Sequence, residues 1–478
     1  MASDGHFAVA WVDYLQMDYP PHELELFIRF FDPDGSPLTD PYKITKVADT
    51  NRIGGSHLDM DSSGSTVLLW TEHPYPDPNE AFLRLQLFDT SGNPLGSPQT
   101  GHQGYVSWSN RSVAVSLNDQ GEFAIAWDTG GAICARRYSF DSGPQGDPFV
   151  VHDDLPDDVS CRYPGVALND AGDLVVTWHE FRLPPNATSY PRFQVFDAED
   201  EPILGWEPMG HLVNEDSLDG TRVEAYWLDN DRFVMFWKDP SGYPIIVGRV
   251  FSDRGLTRHP IRGLIWWDTL WLAHGGPVGW YSTAVAPNDS FAYTHTRSYS
   301  DRPDTSDPSK KRYWEHGGAI LGYIQDNEPI RWTNLFEYTP PLGADTVNSD
   351  FNNWHHTQPP AVACCNDRIV WVYSRLNTDT IFEAFVMITD WNMGVGVEER
   401  PVFTQSPIQL EASLNRLSYD VPGEARLTLY SADGRRVLTE TVEGQGVWNA
   451  SATLPQGVYF ARVKNDGGSA TGKVVVLH

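Results

Sequence analysis

Apolar residues along the chain gather into short runs. The most regular run begins at a glycine and ends at a tryptophan six residues on. Gly5 leads to Trp11, Gly64 to Trp70, Gly121 to Trp127 and Gly172 to Trp178. Phe7 to Ala10, Val67 to Leu69, Phe123 to Ala126 and Leu174 to Thr177 fill the interval, and a weaker copy joins Asp231 to Trp237. Runs this short and this rich in β-branched and aromatic residues read as strands. Self-similarity at a period of roughly 50–60 residues reads as stacked or radial repeats.

A second strand in each unit ends in an aromatic residue: Phe31, Phe88, Tyr138, Phe196, Phe251 and Tyr323. Four residues on stand Gly35, Gly92, Ser142, Asp200, Gly255 and Asn327, mostly types that tolerate a positive φ, as a tight hairpin with a bulge requires. Pro37, Pro94, Pro144, Pro202 and Pro329 follow. The Asn118–Gly121 and Asn169–Gly172 runs mark another tight turn. One unit therefore reads strand a, tight turn, tryptophan-ended strand b, variable loop, strand c, tight turn, strand d.

Four antiparallel strands repeated radially predict an all-β fold, a β-propeller, over residues 1–395. Seven units are counted, the last two centred on Phe291 to Thr294 and Ile369 to Trp371. A linear solenoid is the rival, but its repeats are usually shorter, roughly 20–45 residues. The first unit lacks the strand that precedes the glycine elsewhere, such as Val113 to Val115. The chain is thus expected to start inside a repeat, with no signal peptide in view. Residues 396–406 would be a linker or, around Val395 to Phe403, a segment that supplies the missing strand and closes the ring.

The pattern changes after about residue 400. Period-two strands separated by Asp433-Gly434 and Gln456-Gly457 predict a small Ig-like β-sandwich over 407–478. Three features stand together there: the turn Tyr430 to Gly434-Arg435, the strand Gly457-Val458-Tyr459-Phe460, and the terminal Lys473-Val474-Val475-Val476. This module resembles the type A C-terminal sorting domain of the bacterial type IX secretion system. The opening departs from that family, with Ser406-Pro407-Ile408 where Pro-Asn-Pro is usual. The resemblance implies export across both membranes of a bacterium, the type IX machinery as a partner, and a secreted or outer-membrane surface destination. A plain sandwich spacer is the alternative.

A formal charge of −30 excludes DNA or RNA as partner, since phosphate recognition needs basic stripes. No apolar run is long enough for a transmembrane segment. The four cysteines are too few for a disulfide scaffold. Cys134 and Cys161 read either as a bridge between neighbouring repeats or as two unpaired small hydrophobes. The acidic turn of sialidase-type propellers places its tryptophan three residues after the glycine, where this chain has six.

The a–b and c–d turns are short, whereas the b–c and d–a connections are long and irregular and emerge on one face of a propeller. Function favours such loops on a rigid scaffold. That face carries Tyr105, Trp108, Trp266, Trp267, Trp271, Trp280, Trp314, Trp354, His355 and His356. These aromatics would stack on sugars, dock a surface protein, or pack the loops down. An acidic residue follows each strand b: Asp13, Glu72, Asp128, Glu180 and Asp239. Such a ring would bind cations or supply the carboxylates of glycoside chemistry. The favoured reading is pairing with strand-c arginines such as Arg29, Arg136 and Arg249. The Asp-rich c–d turns lack the ligand count of a calcium loop. No nucleophile elbow, phosphate loop or zinc motif appears, so neither a cofactor nor a metal is called for. The chain is expected to be a binding or adhesion module for a polysaccharide. A polysaccharide-degrading enzyme (hydrolase or lyase) and a structural surface protein stand as alternatives.

Overall fold

The computed structural model describes residues 1–14, 23–48, 51–74, 80–107, 112–153, 155–182, 188–213, 221–238, 246–260, 262–265, 278–303, 311–325, 328–338, 361–376, 382–391, 400–401, 409–413, 416–431, 436–449, 454–455, 457–465 and 468–476. Among them the chain is built of antiparallel sheets, with one short 3-10 turn at Asp253–Gly255. The chain divides into two units, Met1–Tyr373 with Met387–Glu399, and Ser374–Val386 with Arg400–His478.

In the first unit the repeat becomes a succession of sheets. The first has three strands, Phe7–Tyr14, Glu23–Phe31 and Tyr42–Ala48. The second, third and fourth are complete a–b–c–d sheets. They run Asn51–Met60 to Gln99–Gln103, Val113–Leu117 to Gly143–Val150, and Val159–Leu168 to His211–Leu212. The fifth starts at Thr221–Trp227 and adds Arg262–Ile265 beside Ile246–Ser252. The sixth runs from Val278–Val285 to Glu328–Tyr338, and the seventh begins at Ala361–Cys364 and Ile369–Leu376.

Strand b of the second, third, fourth and fifth sheets is buried on both faces, which is why it reads as continuously apolar, whereas in the first sheet Ala8, Ala10, Trp11 and Val12 are half-buried. Val67 and Leu69 join the core shared with the third sheet, while Leu68 and Trp70 join the core shared with the first. Trp127, Trp178 and Trp237 behave as Trp70 does, each filling the core shared with the preceding sheet. All four are fully buried. A buried tryptophan removes roughly 150–250 Å² from water, so the repeated residue is a wedge between neighbouring sheets. The fixed aromatic of strand c stacks on the first aromatic of strand b. Phe31 lies 5.0 Å from Phe7, Tyr138 4.9 Å from Phe123 and Phe251 4.9 Å from Phe233. These pairs are directly opposed in the ladder.

The succession closes on itself. Arg368 of the seventh sheet donates from Nη1 to the Pro33 carbonyl of the first, and Gly35 packs against Ile388. Sequential packing with the last sheet returning to the first makes this unit a β-propeller rather than an open solenoid. Of the segment Val395 to Phe403, expected to close the ring, only Arg400–Pro401 lies among the described residues, where it pairs with Val386 and Phe385. Among the described residues nothing pairs with the free edge of Phe7–Tyr14.

The tight turns share one device. Oδ1 of Asp32, Asp61, Asp89, Asn118, Asn169 or Asp197 accepts the backbone N–H groups two and four residues on, at 2.7–3.1 Å. The side chain replaces backbone partners that a sharp turn cannot reach. Those oxygens are thereby occupied without a metal. Positive φ falls as expected at Gly35, Gly92, Asp200 and Gly255, but in the third sheet at Gly143 rather than Ser142.

The second unit contains Gln409–Ser413, Arg416–Ser431, Arg436–Asn449, Gly457–Asn465 and Gly468–Val476, hydrogen-bonded into one five-stranded antiparallel sheet. The long strand Arg416–Ser431 pairs first with Gln409–Ser413 and then, beyond a bulge between Val421 and Glu424, with Gly457–Asn465. Pro422 and Gly423 sit in that bulge, as residues unsuited to a regular ladder do. Its core holds Leu417, Leu427, Leu429, Ala461, Val463 and Val476.

Candidate functional site

The innermost strands are irregular at the ends that meet the long loops. The ladder between strands a and b shifts between Ile53 and Ser56, Arg162 and Gly165, Thr221 and Val223, and Val278 and Tyr281. Bulges bend a strand and re-aim its side chains. In the second sheet the bulge is enforced by contact. A β-carbon on Gly54 would collide with the Thr71 hydroxyl, which bonds His73 Nε2 at 3.0 Å. Burial pushes the His73 imidazole down to about 4, so it stays neutral at physiological pH.

The fourth sheet carries the most unusual bulge. Tyr163 adopts φ 57°, a left-handed conformation that is an outlier for a bulky residue. Its half-buried ring meets the edges of His179 and Phe181 at 6.0 and 5.7 Å. Next to it, Arg162 is exposed. Cys161 donates its N–H to the Gly131 carbonyl at 2.8 Å, which brings this strand against the b–c turn of the third sheet.

That turn is built around Asp128. Its backbone N–H donates to the Ser112 carbonyl, and its Oδ1 accepts the Gly130 N–H at 2.6 Å. The side chain is fully buried, and Oδ2 has no hydrogen-bond partner among the described residues. Burial raises its pKa to about 6, against the opposing pull of Gly130, Arg162 and Ser107. The Tyr105 ring closes over Gly130, near enough that a β-carbon there would come within 2.5 Å of Cε1. Tyr105 is 37% exposed. Tyr105, Asp128, Arg162 and Tyr163 thus collect at the junction of the second, third and fourth sheets.

Of the other predicted carboxylates, Glu180 and Glu72 are committed. Glu180 is fully buried. Its Oε1 accepts Arg182 Nε at 2.7 Å, and its Oε2 accepts Arg192 Nε at 2.8 Å and Nη2 at 2.5 Å. Glu72 accepts Trp70 Nε1 at 3.0 Å and Arg84 Nε at 3.3 Å. Pairing with arginine is therefore observed, but through Arg84, Arg182 and Arg192. Of the arginines named for this pairing, Arg29 donates to the Thr39 carbonyl, Arg136 to that of Gly146, and Arg249 to those of His259 and Val213, while the side chains of Asp13 and Asp239 lie outside the described residues.

Trp108, Trp266, Trp267, Trp271, Trp354, His355, His356 and Asp239 lie outside the described residues, as do Gly434 and Arg435 of the C-terminal module. Of that module, Tyr430 is half-buried on the long strand, and Tyr459 is buried with its hydroxyl donating to the Pro455 carbonyl at 3.0 Å. Gly457 and Lys473 pair with Val476 and Phe460 in the ladder. Arg162 and Tyr163 were not anticipated. The legible signal was Tyr163-Pro164-Gly165 inside a strand, where proline and glycine mark a bulge.

All four cysteines are free thiols. Cys134 packs on the core between the second and third sheets, whereas its ladder neighbours Ile133 and Ala135 share with Cys161 the core between the third and fourth. The two thiols thus lie on opposite faces of the third sheet, which rules out the bridge in this fold. Among the described residues no group of three His, Cys, Asp or Glu side chains is placed to hold a metal ion. Among the described residues no helix is long and apolar enough to cross a membrane.

No protein-family model matches the chain, and no curated protein matches it. Solved structures with some likeness include a protein of unknown function from Dyadobacter fermentans, 11% identical with a TM-score of 0.43, over 71% of this chain and 94% of that one. The phage phi92 endosialidase is 9% identical with a TM-score of 0.42, over 91% and 70%. The GH93 α-L-arabinofuranosidase of Fusarium graminearum is 12% identical with a TM-score of 0.37, over 72% and 93%. At TM-scores this low no residue or activity of theirs is carried over.

Proposed function

We propose that the chain is an exported, seven-bladed β-propeller that binds a polysaccharide through its loop-bearing face, with the C-terminal unit as a type IX sorting tail. The observation that supports binding over hydrolysis is the state of the carboxylates. Glu72 and Glu180 spend their charge on Arg84, Arg182 and Arg192, which leaves them ill suited to act as nucleophile or base. Tyr105 meanwhile offers an exposed aromatic face on a rigid turn, the surface on which a sugar ring stacks. The test is a glycan array probed with the full chain, followed by a turnover assay on each captured polymer. Binding without release of sugar ends, weakened by Tyr105→Ala, is the expected result. Capture of no glycan sinks the reading.

A second reading is hydrolysis. Asp128, raised to about 6, has the protonation that glycoside cleavage uses, but its fully buried side chain would have to be uncovered to reach a glycosidic oxygen. Reducing-end release abolished by Asp128→Asn would establish it.

The sorting proposal rests on the Gly457-to-Phe460 strand, the Tyr430 turn and the Lys473 end. Deletion of residues 407–478 should retain the propeller in the periplasm of the exporting bacterium. Normal export of that deletion refutes it.

A further inference from the structure

We infer that Arg162, at the corner that also carries Tyr105 and Tyr163, forms a subsite for the carboxylate of an acidic sugar, so that the polymer bound is a polyuronate. This rests on the glycan-binding reading and deepens it. Three observations carry it. The first is that Arg162 stands apart from the other arginines at the loop-bearing ends of the second and fourth sheets. Arg84, Arg182 and Arg192 are held in ion pairs. Arg162 is exposed, and its positive charge acts on Asp128. A guanidinium that no described residue holds in an ion pair can take a ligand carboxylate in two parallel hydrogen bonds.

The second is the backbone under it. Tyr163 holds a left-handed φ of 57° without being glycine, asparagine or aspartate. Such a conformation is strained and persists where the surrounding structure enforces it, commonly at ligand-binding positions. Here the enforcement is visible. Gly165 sits against the Thr177 hydroxyl and the Val223 carbonyl of the neighbouring sheet, and Cys161 is tied to Gly131. The third is Asp128, fully buried beside this corner with an Oδ2 that no described residue satisfies.

The ligand class follows from the mixture. Phosphate polymers would need several cations, and this corner offers one on a chain of net charge −30. A single exposed guanidinium suits one carboxylate on one pyranose ring. Because the chain repels polyanions at long range, recognition must come from contact, and it should be measured near physiological salt, where the Debye length is about 8 Å.

The experiment compares a polyuronate with the same polymer after its carboxyls are reduced to alcohols, by calorimetry on the full chain. The wild type should bind the acidic form at least tenfold more tightly. Arg162→Gln should erase that preference while leaving affinity for the reduced polymer unchanged. Arg162→Lys should keep only part of it. Arg162 is exposed, so both variants should melt with the wild type, and a matched melt confirms that they are folded. Equal binding of both polymers by the wild type overturns the inference and leaves the glycan reading standing. So does a preference that survives Arg162→Gln. Binding of neither polymer removes the glycan reading and the inference with it.

Discussion

Asp128→Asn tests whether the corner at the third sheet is organised as described. In the fold the carboxyl is fully buried and its pKa is raised from 3.8 to about 6. Below the unfolded value both states hold the proton and the group contributes nothing to the pH dependence. Between 3.8 and 6 the unfolded chain releases its proton while the fold retains it, so stability falls as pH rises through that window. Above 6 the loss is complete. A shift of about two units corresponds to roughly 3 kcal/mol at 1.36 kcal/mol per unit. Unfolding entropy near 2.1 cal/mol/K per residue gives a propeller of roughly 390 residues about 0.8 kcal/mol/K. The loss is then about 4 °C in Tm. Asparagine keeps an oxygen for the Gly130 N–H but cannot ionise. Its amide hydrogens offset the variant by the same amount at every pH, so the diagnostic is the slope. Asp59, half-buried and also raised to about 6, cancels in the comparison. Calorimetric Tm measured from pH 4 to pH 8 should fall more steeply for the wild type than for the variant, by about 4 °C in total. Parallel curves would refute the assignment of a buried, proton-retaining Asp128.

Three further outcomes follow from the packing. Trp178→Ala empties the wedge between the third and fourth sheets and should cost about 3–5 kcal/mol, seen as a lowered unfolding midpoint in urea; a loss under 1 kcal/mol would contradict full burial. Glu180→Gln leaves the mostly buried Arg192 guanidinium without its anion and should cost on the order of 3 kcal/mol. An unchanged Tm for that variant would free Glu180 for chemistry. Thiol titration of unreduced protein in denaturant should find all four cysteines free, and a count of two would restore the Cys134–Cys161 bridge.

Much of the scaffold was legible because each unit repeats its own physics. A strand buried on both faces must be continuously apolar, so Val67 to Trp70 and Phe123 to Trp127 announce themselves. Turns that need positive φ or a side-chain acceptor leave glycine, aspartate and asparagine at fixed offsets, as at Asp89 to Asn93. Pairing of carboxylates with arginines was also foreseeable in kind, but its partners were not. Arg84 lies opposite Trp70 and Arg192 opposite Trp178, and only the register states which guanidinium reaches which carboxylate. The Cys134–Cys161 question likewise turned on which face of a strand each thiol occupies, a difference of one residue in a period of two.

The amino-acid sequence by itself determined the strand repeat, its turns and the change of module near residue 400, because those depend on neighbours a few positions away. The corner formed by Tyr105, Asp128, Arg162 and Tyr163 was decided only by the tertiary structure. Its members come from different sheets, and what distinguishes them is burial, strain and the absence of a competing charge. Those are properties of packing between units, and no local pattern of residues encodes them.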